Sequence, residues 1–214
     1  MKISTLIFFL SLFVSSLFAQ NPYVLLHDGL IDQRAQEKIY QIGSEVKTKL
    51  NVNLYVYIQE NNGVDLKLPF DERKRLMQEF VSNVQKDLQG SYALLMIIID
   101  QTYVTVTTSK DLEGIIDKDD VLDGYVTPVL ASKDKNTLFT KTSAAMLNGY
   151  AQMADTLAEH KGIKLESSIG SGNKTFSTIW KMFMYTLVLG GILLYAIIVM
   201  KEKKFRKKAQ ENDA

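Results

Sequence analysis

Nineteen residues from Met182 to Met200 carry no charge, and Lys201, Lys203, Lys204, Arg206, Lys207 and Lys208 follow at once. No other feature limits this 214-residue chain so strongly. At ~1.5 Å per helical residue such a run is about 30 Å long, the thickness of a bilayer's hydrocarbon core. A helix in the core of a globular domain would be broken up by charged or turn residues. The run therefore predicts a transmembrane helix over 179–200, with the basic tail 201–214 in the cytoplasm. Trp180 and Tyr185 suit the opposite interface.

The N-terminus carries the complementary signal. Met1-Lys2 precedes an apolar stretch from Ile3 to Phe18, and Ala19-Gln20 follow. This pattern predicts a secretory signal peptide over 1–19, cut after Ala19. An uncleaved anchor is the alternative, but Ser11, Ser15 and Ser16 interrupt a stretch already short for a span. Ile163 to Thr178 is Gly/Ser-rich and predicts a flexible tether over 163–178. What remains, 20–162, is one extracytoplasmic domain.

Composition then removes several chemistries. With no cysteine there is no disulfide scaffold, thiolate zinc site or cysteine nucleophile. Two histidines, His27 and His160, cannot build a three-histidine metal site. The formal charge of +1 argues against a nucleic-acid partner. Residues 20–180 hold 17 basic and 21 acidic residues, so the body is mildly acidic at −4.

Hydrophobic periodicity gives the architecture. Ala35, Ile39, Ile42, Val46 and Leu50 predict a helix after Asp32, and Val52, Leu54, Val56 and Ile58 alternate as in a half-buried strand. Leu76, Phe80, Val84 and Leu88 form a second helical stripe entered through Pro69. Ala93 to Ile99 is uniformly apolar, as in a strand covered on both faces. Val104 and Val106 alternate with threonines soon afterwards, which predicts a hairpin. A helix from Asp119 is expected to bend or end at Pro128. The last helix, Asn136 to His160, is expected to bury Phe139, Met146, Leu147, Tyr150, Ala154 and Leu157. The order predicts an α/β three-layer sandwich with a mixed central sheet.

Catalytic patterns are thin. Met96 to Asp100 ends an apolar strand in an aspartate, as in aspartyl-phosphate phosphatases, but Thr102 stands where their second carboxylate is needed. No G-x-S-x-G elbow occurs, and Gly170 to Thr175 lacks the ending of a phosphate loop. The densest feature is acidic: Asp111, Glu113, Asp117, Asp119, Asp120 and Asp123. Loop carboxylates are what Ca²⁺ or another divalent cation requires. Asp117 or Asp119 capping the next helix accounts for the same residues.

Ala93 to Asp100, Thr105 to Thr108, Asp111-Leu112-Glu113-Gly114-Ile115-Ile116-Asp117 and Val126-Thr127-Pro128 resemble the TPM domain family, as does His27-Asp28-Gly29-Leu30-Ile31. The resemblance covers about 22–162. It implies a three-layer α/β fold and, as reported for some members, divalent-metal binding at Asp28, Asp100 and Asp117. Asp111, Glu113, Asp119 and Asp120 are additional candidates. It also implies an accessory, assembly or quality-control role beside a membrane protein complex, with a metal-dependent phosphomonoesterase as the alternative. In bacterial members the body would be periplasmic and the span in the inner membrane. Ser109 replaces the family's glycine after the threonine, close to the implied site.

Overall fold

A computed structural model describes residues 21–169, together with Tyr185 and Thr186. The chain divides into units Met1–Gly170 and Ser171–Ala214, and the first contains the folded body. The predicted signal peptide and the basic tail lie outside the described residues. So does the predicted span, Tyr185 and Thr186 apart. Among the described residues no helix is long and apolar enough to cross a membrane.

The body is mixed α/β. Strands β1 (Val24–Leu26), β2 (Asn53–Gln59), β3 (Tyr92–Ile98) and β4 (Tyr103–Thr108) form one sheet in that order. β1, β2 and β3 run parallel, and β4 returns antiparallel to β3. Helix α1 (Gln33–Leu50) links β1 to β2, and α2 (Phe70–Gln85) links β2 to β3. Beyond β4 come a 3₁₀ turn (Lys110–Leu112), α3 (Lys118–Val121), a π turn (Leu122–Val126), α4 (Thr127–Leu130) and the long α5 (Leu138–His160).

Each face of the sheet is covered by helices. On one face, Ile39, Ile42 and Val46 of α1 and Met146, Tyr150 and Met153 of α5 bury Leu54, Val56, Ile58, Leu95 and Ile97. On the other, Met77 and Val81 of α2 cover Leu94, Met96 and Ile98. The strand order runs 1-2-3 without reversal. Placing α1 and α2 on opposite faces therefore requires one of the two crossovers to have the uncommon left hand.

Local chemistry explains the ends of these elements. The Asp32 carboxylate caps α1 by accepting from the Ala35 N–H at 2.8 Å, and Asn51 closes it in the left-handed region at φ 55°. Thr137 caps α5 by accepting from Thr140 N at 3.2 Å. Gly43 of α1 lets a tyrosine pair approach. A Cβ there would meet the Tyr150 hydroxyl and lie 2.6 Å from Tyr23 Cγ. The Tyr150 hydroxyl donates to the Leu54 carbonyl at 3.1 Å, and burial pushes its pKa well above the usual value.

Several expectations need correction. β1 was not apparent, because three residues are too few to show alternation. The second helix buries Met77 and Val81, while Leu76, Phe80 and Val84 flank that seam and the helix stops at Gln85, short of Leu88. Pro128 does not end its helix. It lacks an N–H, and it enters α4 in the first turn just after the π turn has widened the backbone, where its missing donor is tolerated. Phe139 is exposed at 43 % because it lies on the outer side of the first turn of α5.

The chain also stays packed beyond His160. Leu165 is 3 % exposed and joins the larger core. Glu45 of α1 accepts from the Glu166 and Ser167 N–H groups at 2.8 and 2.7 Å and from the Ser167 hydroxyl. Lys49, 2.6 Å from Glu45, completes the clamp. Burial opposes ionisation of Glu45, but the Lys49, Ser167 and backbone hydrogen bonds outweigh it and hold the carboxyl at about 2. The first residues of the segment read as a tether are thus held against α1.

Candidate functional site

Parallel strands end at a common edge, and loops at that edge carry ligand-binding groups in open α/β sheets. Asp28, Glu60 and Asp100 each lie just beyond the carboxyl end of β1, β2 and β3. The loops are stitched together by hydrogen bonds. Asp28 Oδ2 accepts from the Glu60 N–H at 3.1 Å, and Asp100 Oδ2 accepts from Asn61 Nδ2 at 2.6 Å. Gln101 Nε2 donates to Asn61 Oδ1 at 3.3 Å and to the Val64 carbonyl at 3.0 Å. The backbone here is strained. Asp28 has φ 42° and Thr102 has φ 48°, which is unfavourable for a β-branched residue. Asp28, Glu60 and Asp100 are all exposed.

The acidic segment beyond β4 is elsewhere. Asp111 follows the end of β4, at the opposite edge of the sheet, and accepts from the Ser91 hydroxyl just ahead of β3. Hydrogen bonds from Ser109 and Ser91 lower its pKa. Glu113 is exposed beyond the 3₁₀ turn, its N–H bonded to the Lys110 carbonyl at 3.2 Å. Asp117 Oδ1 accepts from the Asp119 and Asp120 N–H groups, both at 3.1 Å, and so caps α3. Asp119 and Asp120 occupy the first turn of that helix, and Asp120 also accepts from Gln152 Nε2 of α5 at 2.9 Å.

The structure therefore brings Asp28 and Asp100 to one edge and does not bring Asp117 to them. Asp117 lies two residues beyond Ile115, which lines a pocket of about 240 Å³ at the opposite edge with Leu50, Val52, Ser91, Leu157 and His160. Among the described residues no three His, Cys, Asp or Glu side chains are grouped to hold a metal ion. The set Asp28, Asp100 and Asp117 does not fit a single cation, because one carboxylate is used as a helix cap on a different part of the fold.

The two histidines are also apart. His27 Nδ1 accepts from the Gly29 N–H at 3.1 Å within the loop after β1, and His160 closes α5 at the pocket. The groups missed from sequence are Glu60, Asn61 and Gln101. Their one signal was position, directly after apolar strands, since none belongs to a recognisable spacing.

No family model matches the sequence, and a comparison with curated proteins finds no match. Solved structures do resemble it. The solution structure of the N-terminal domain of a P. gingivalis protein matches with a TM-score of 0.50 at 16 % identity, over 70 % of this chain and 90 % of that one. The BA42 protein of the psychrophilic bacterium Bizionia argentinensis matches with a TM-score of 0.40 at 13 % identity, over 65 % of this chain and 94 % of that one. The first likeness shows a fold shared with a small bacterial domain.

Proposed function

We propose that the chain is a TPM-like, three-layer extracytoplasmic module, anchored by one C-terminal transmembrane helix and acting as an accessory or assembly factor for a membrane protein complex. The observation that carries this reading is the order of segments: an apolar leader, an acidic folded body, and an uncharged 19-residue run abutted by six basic residues. The hydrogen bonds at the carboxyl edge support it, because they fix a surface rather than surround a reacting atom. The body would be held near its partner by the span, which raises effective concentration. Ca²⁺ or another divalent cation is proposed as a modulator that would take Asp28 and Asp100, with solvent supplying its other ligands.

Two measurements test the proposal. Protease added to sealed spheroplasts should remove the body and leave a small fragment bearing the basic tail, whereas a full-length survivor contradicts the topology. Mild solubilisation followed by native electrophoresis should show the chain migrating with a larger complex. Migration as a free subunit contradicts the accessory role.

A further inference from the structure

We infer that the segment from Glu60 to Glu72, the β2–α2 loop with the first residues of α2, is a preformed docking surface for a cationic, apolar segment of a partner protein. The inference rests on the accessory-module reading and names the partner's chemistry. Leu66 is 50 % exposed and Phe70 is 69 % exposed. Leu66 belongs to the β2–α2 loop and Phe70 opens α2, and the backbone of that loop is held in place. Gly63 N–H donates to Asn61 Oδ1 at 2.7 Å, Val64 N–H to Asn62 Oδ1 at 3.2 Å, and Lys67 N–H to Asp65 Oδ1 at 2.9 Å. Gln101 Nε2 ties the Val64 carbonyl to the β3–β4 turn. Ordering a loop costs backbone entropy that is ordinarily offset by burying its apolar side chains. Here the loop is ordered, yet Leu66 within it and Phe70 at the start of α2 still face water. That is the arrangement of a binding element preorganised before its partner arrives.

Charge selects the partner. Segments 27–32, 60–72 and 99–102, all at the carboxyl edge, carry seven carboxylates against one lysine, a net of −6, while the whole body is −4. The negative charge is therefore concentrated at this edge, and the rest of the body is net positive. An anionic lipid surface would be repelled from it, and so would a second copy presenting the same edge. A segment carrying Lys or Arg beside apolar side chains satisfies both features, with the rim charges steering the encounter and Phe70 and Leu66 supplying the anchor.

The full chain, held in nanodiscs of zwitterionic lipid, can be titrated with a labelled peptide of about ten residues alternating Leu and Lys, and with its Leu/Glu counterpart. The Leu/Lys peptide should bind, weaken with added salt, and lose about tenfold in affinity in a Leu66→Ser/Phe70→Ser variant. The Leu/Glu peptide should not bind. Both residues are exposed, so the variant should melt with the wild type. An Asp65→Asn/Asp71→Asn/Glu72→Gln variant, which keeps the apolar anchor, should lose most of the salt dependence. Equal binding by wild type and the serine variant overturns the inference. So does stronger Leu66- and Phe70-dependent binding to phosphatidylglycerol vesicles, or a dimer that the serine variant dissolves. If the native complex persists in the serine variant, the docking surface fails while the accessory role stands. If no complex forms with the wild type, the accessory role itself fails.

Discussion

The two faces of the sheet are built to different depths. α1 and α5 close one face, and the α3–α4 segment extends that cover through Val121 and Val126, which are almost fully buried. Among the described residues the opposite face has only α2, which contributes two buried side chains, Met77 and Val81, above Leu94, Met96 and Ile98. Half-buried Tyr55, Tyr57 and Phe80 finish that side, with the Tyr57 and Phe80 rings edge-to-face at 5.9 Å. The thick face buries many more apolar side chains than the thin one. The thin face lies beside the exposed docking loop, which leads directly into α2. A domain can leave apolar groups exposed at one end when the other face already holds the fold together.

Neighbouring leucines in β3 test this most directly. Leu94 and Leu95 are both fully buried but point to opposite faces. Leu95→Ala should cost about 4 kcal/mol, because α1 and α5 clamp the cavity from two sides and little can collapse into it. Leu94→Ala should cost about 2–3 kcal/mol, since a single helix with two anchoring side chains can settle toward the sheet. Urea unfolding of the two variants measures the difference. Equal losses would show that α2 is as rigidly held as the helices opposite.

A smaller effect is expected at Glu45, on the thick face, where α1 grips Glu166 and Ser167. Its carboxyl titrates at about 2 in the folded protein against 4.5 ordinarily. A depressed pKa contributes stability that is fully present above 4.5 and is lost as pH falls through about 2. Glu45→Gln should therefore cost about 1–2 kcal/mol at neutral pH, discounted for the solvent around the Lys49 pair. Its penalty should shrink as pH falls toward 2. Thermal melts at neutral pH and in acid check the sign. Hydrogen exchange at the Glu166 and Ser167 amides should quicken in the variant even where global stability barely moves.

Long periodic segments made the fold legible from sequence, and short ones hid the rest. α1, β2, β3, β4 and α5 each repeat a pattern often enough to declare their type. β1 offers only Val24, Leu25 and Leu26, and its partner in the sheet decides its structure. α2 was read one position off, because Leu76, Phe80 and Val84 keep helical spacing as well as Met77 and Val81 do, and only the sheet beneath selects the buried pair. The site was less legible still. A dense run of carboxylates drew notice to Asp111–Asp123, yet density in sequence is not convergence in space. The carboxylates that do share an edge, Asp28, Glu60 and Asp100, come from three separated loops joined by parallel pairing.

The smallest expected effect decides between the two uses of Asp117. As a cap, its carboxylate satisfies two N–H groups of α3, the short helix whose Val121 lies 1 % exposed in the thick core. Asp117→Ala should then cost about 0.5–1 kcal/mol, less than a long helix would lose, because α3 is only one turn and its packing is borne mainly by Val121. Asp117→Asn should recover most of that, since an amide oxygen can still accept from both N–H groups. Neither loss should depend on Ca²⁺ or Mg²⁺, because Asp117 is used as the cap of α3 and is not grouped with Asp28 and Asp100. If millimolar cation raises the melting temperature of the wild type and the rise disappears in Asp117→Asn, the carboxylate is acting as a metal ligand. The acidic segment would then have to reach the carboxyl edge in a conformation other than the one in which it caps α3. If the rise survives in Asp117→Asn and disappears in Asp28→Asn, the cation belongs to the carboxyl edge alone and the cap is a structural device of the thick face.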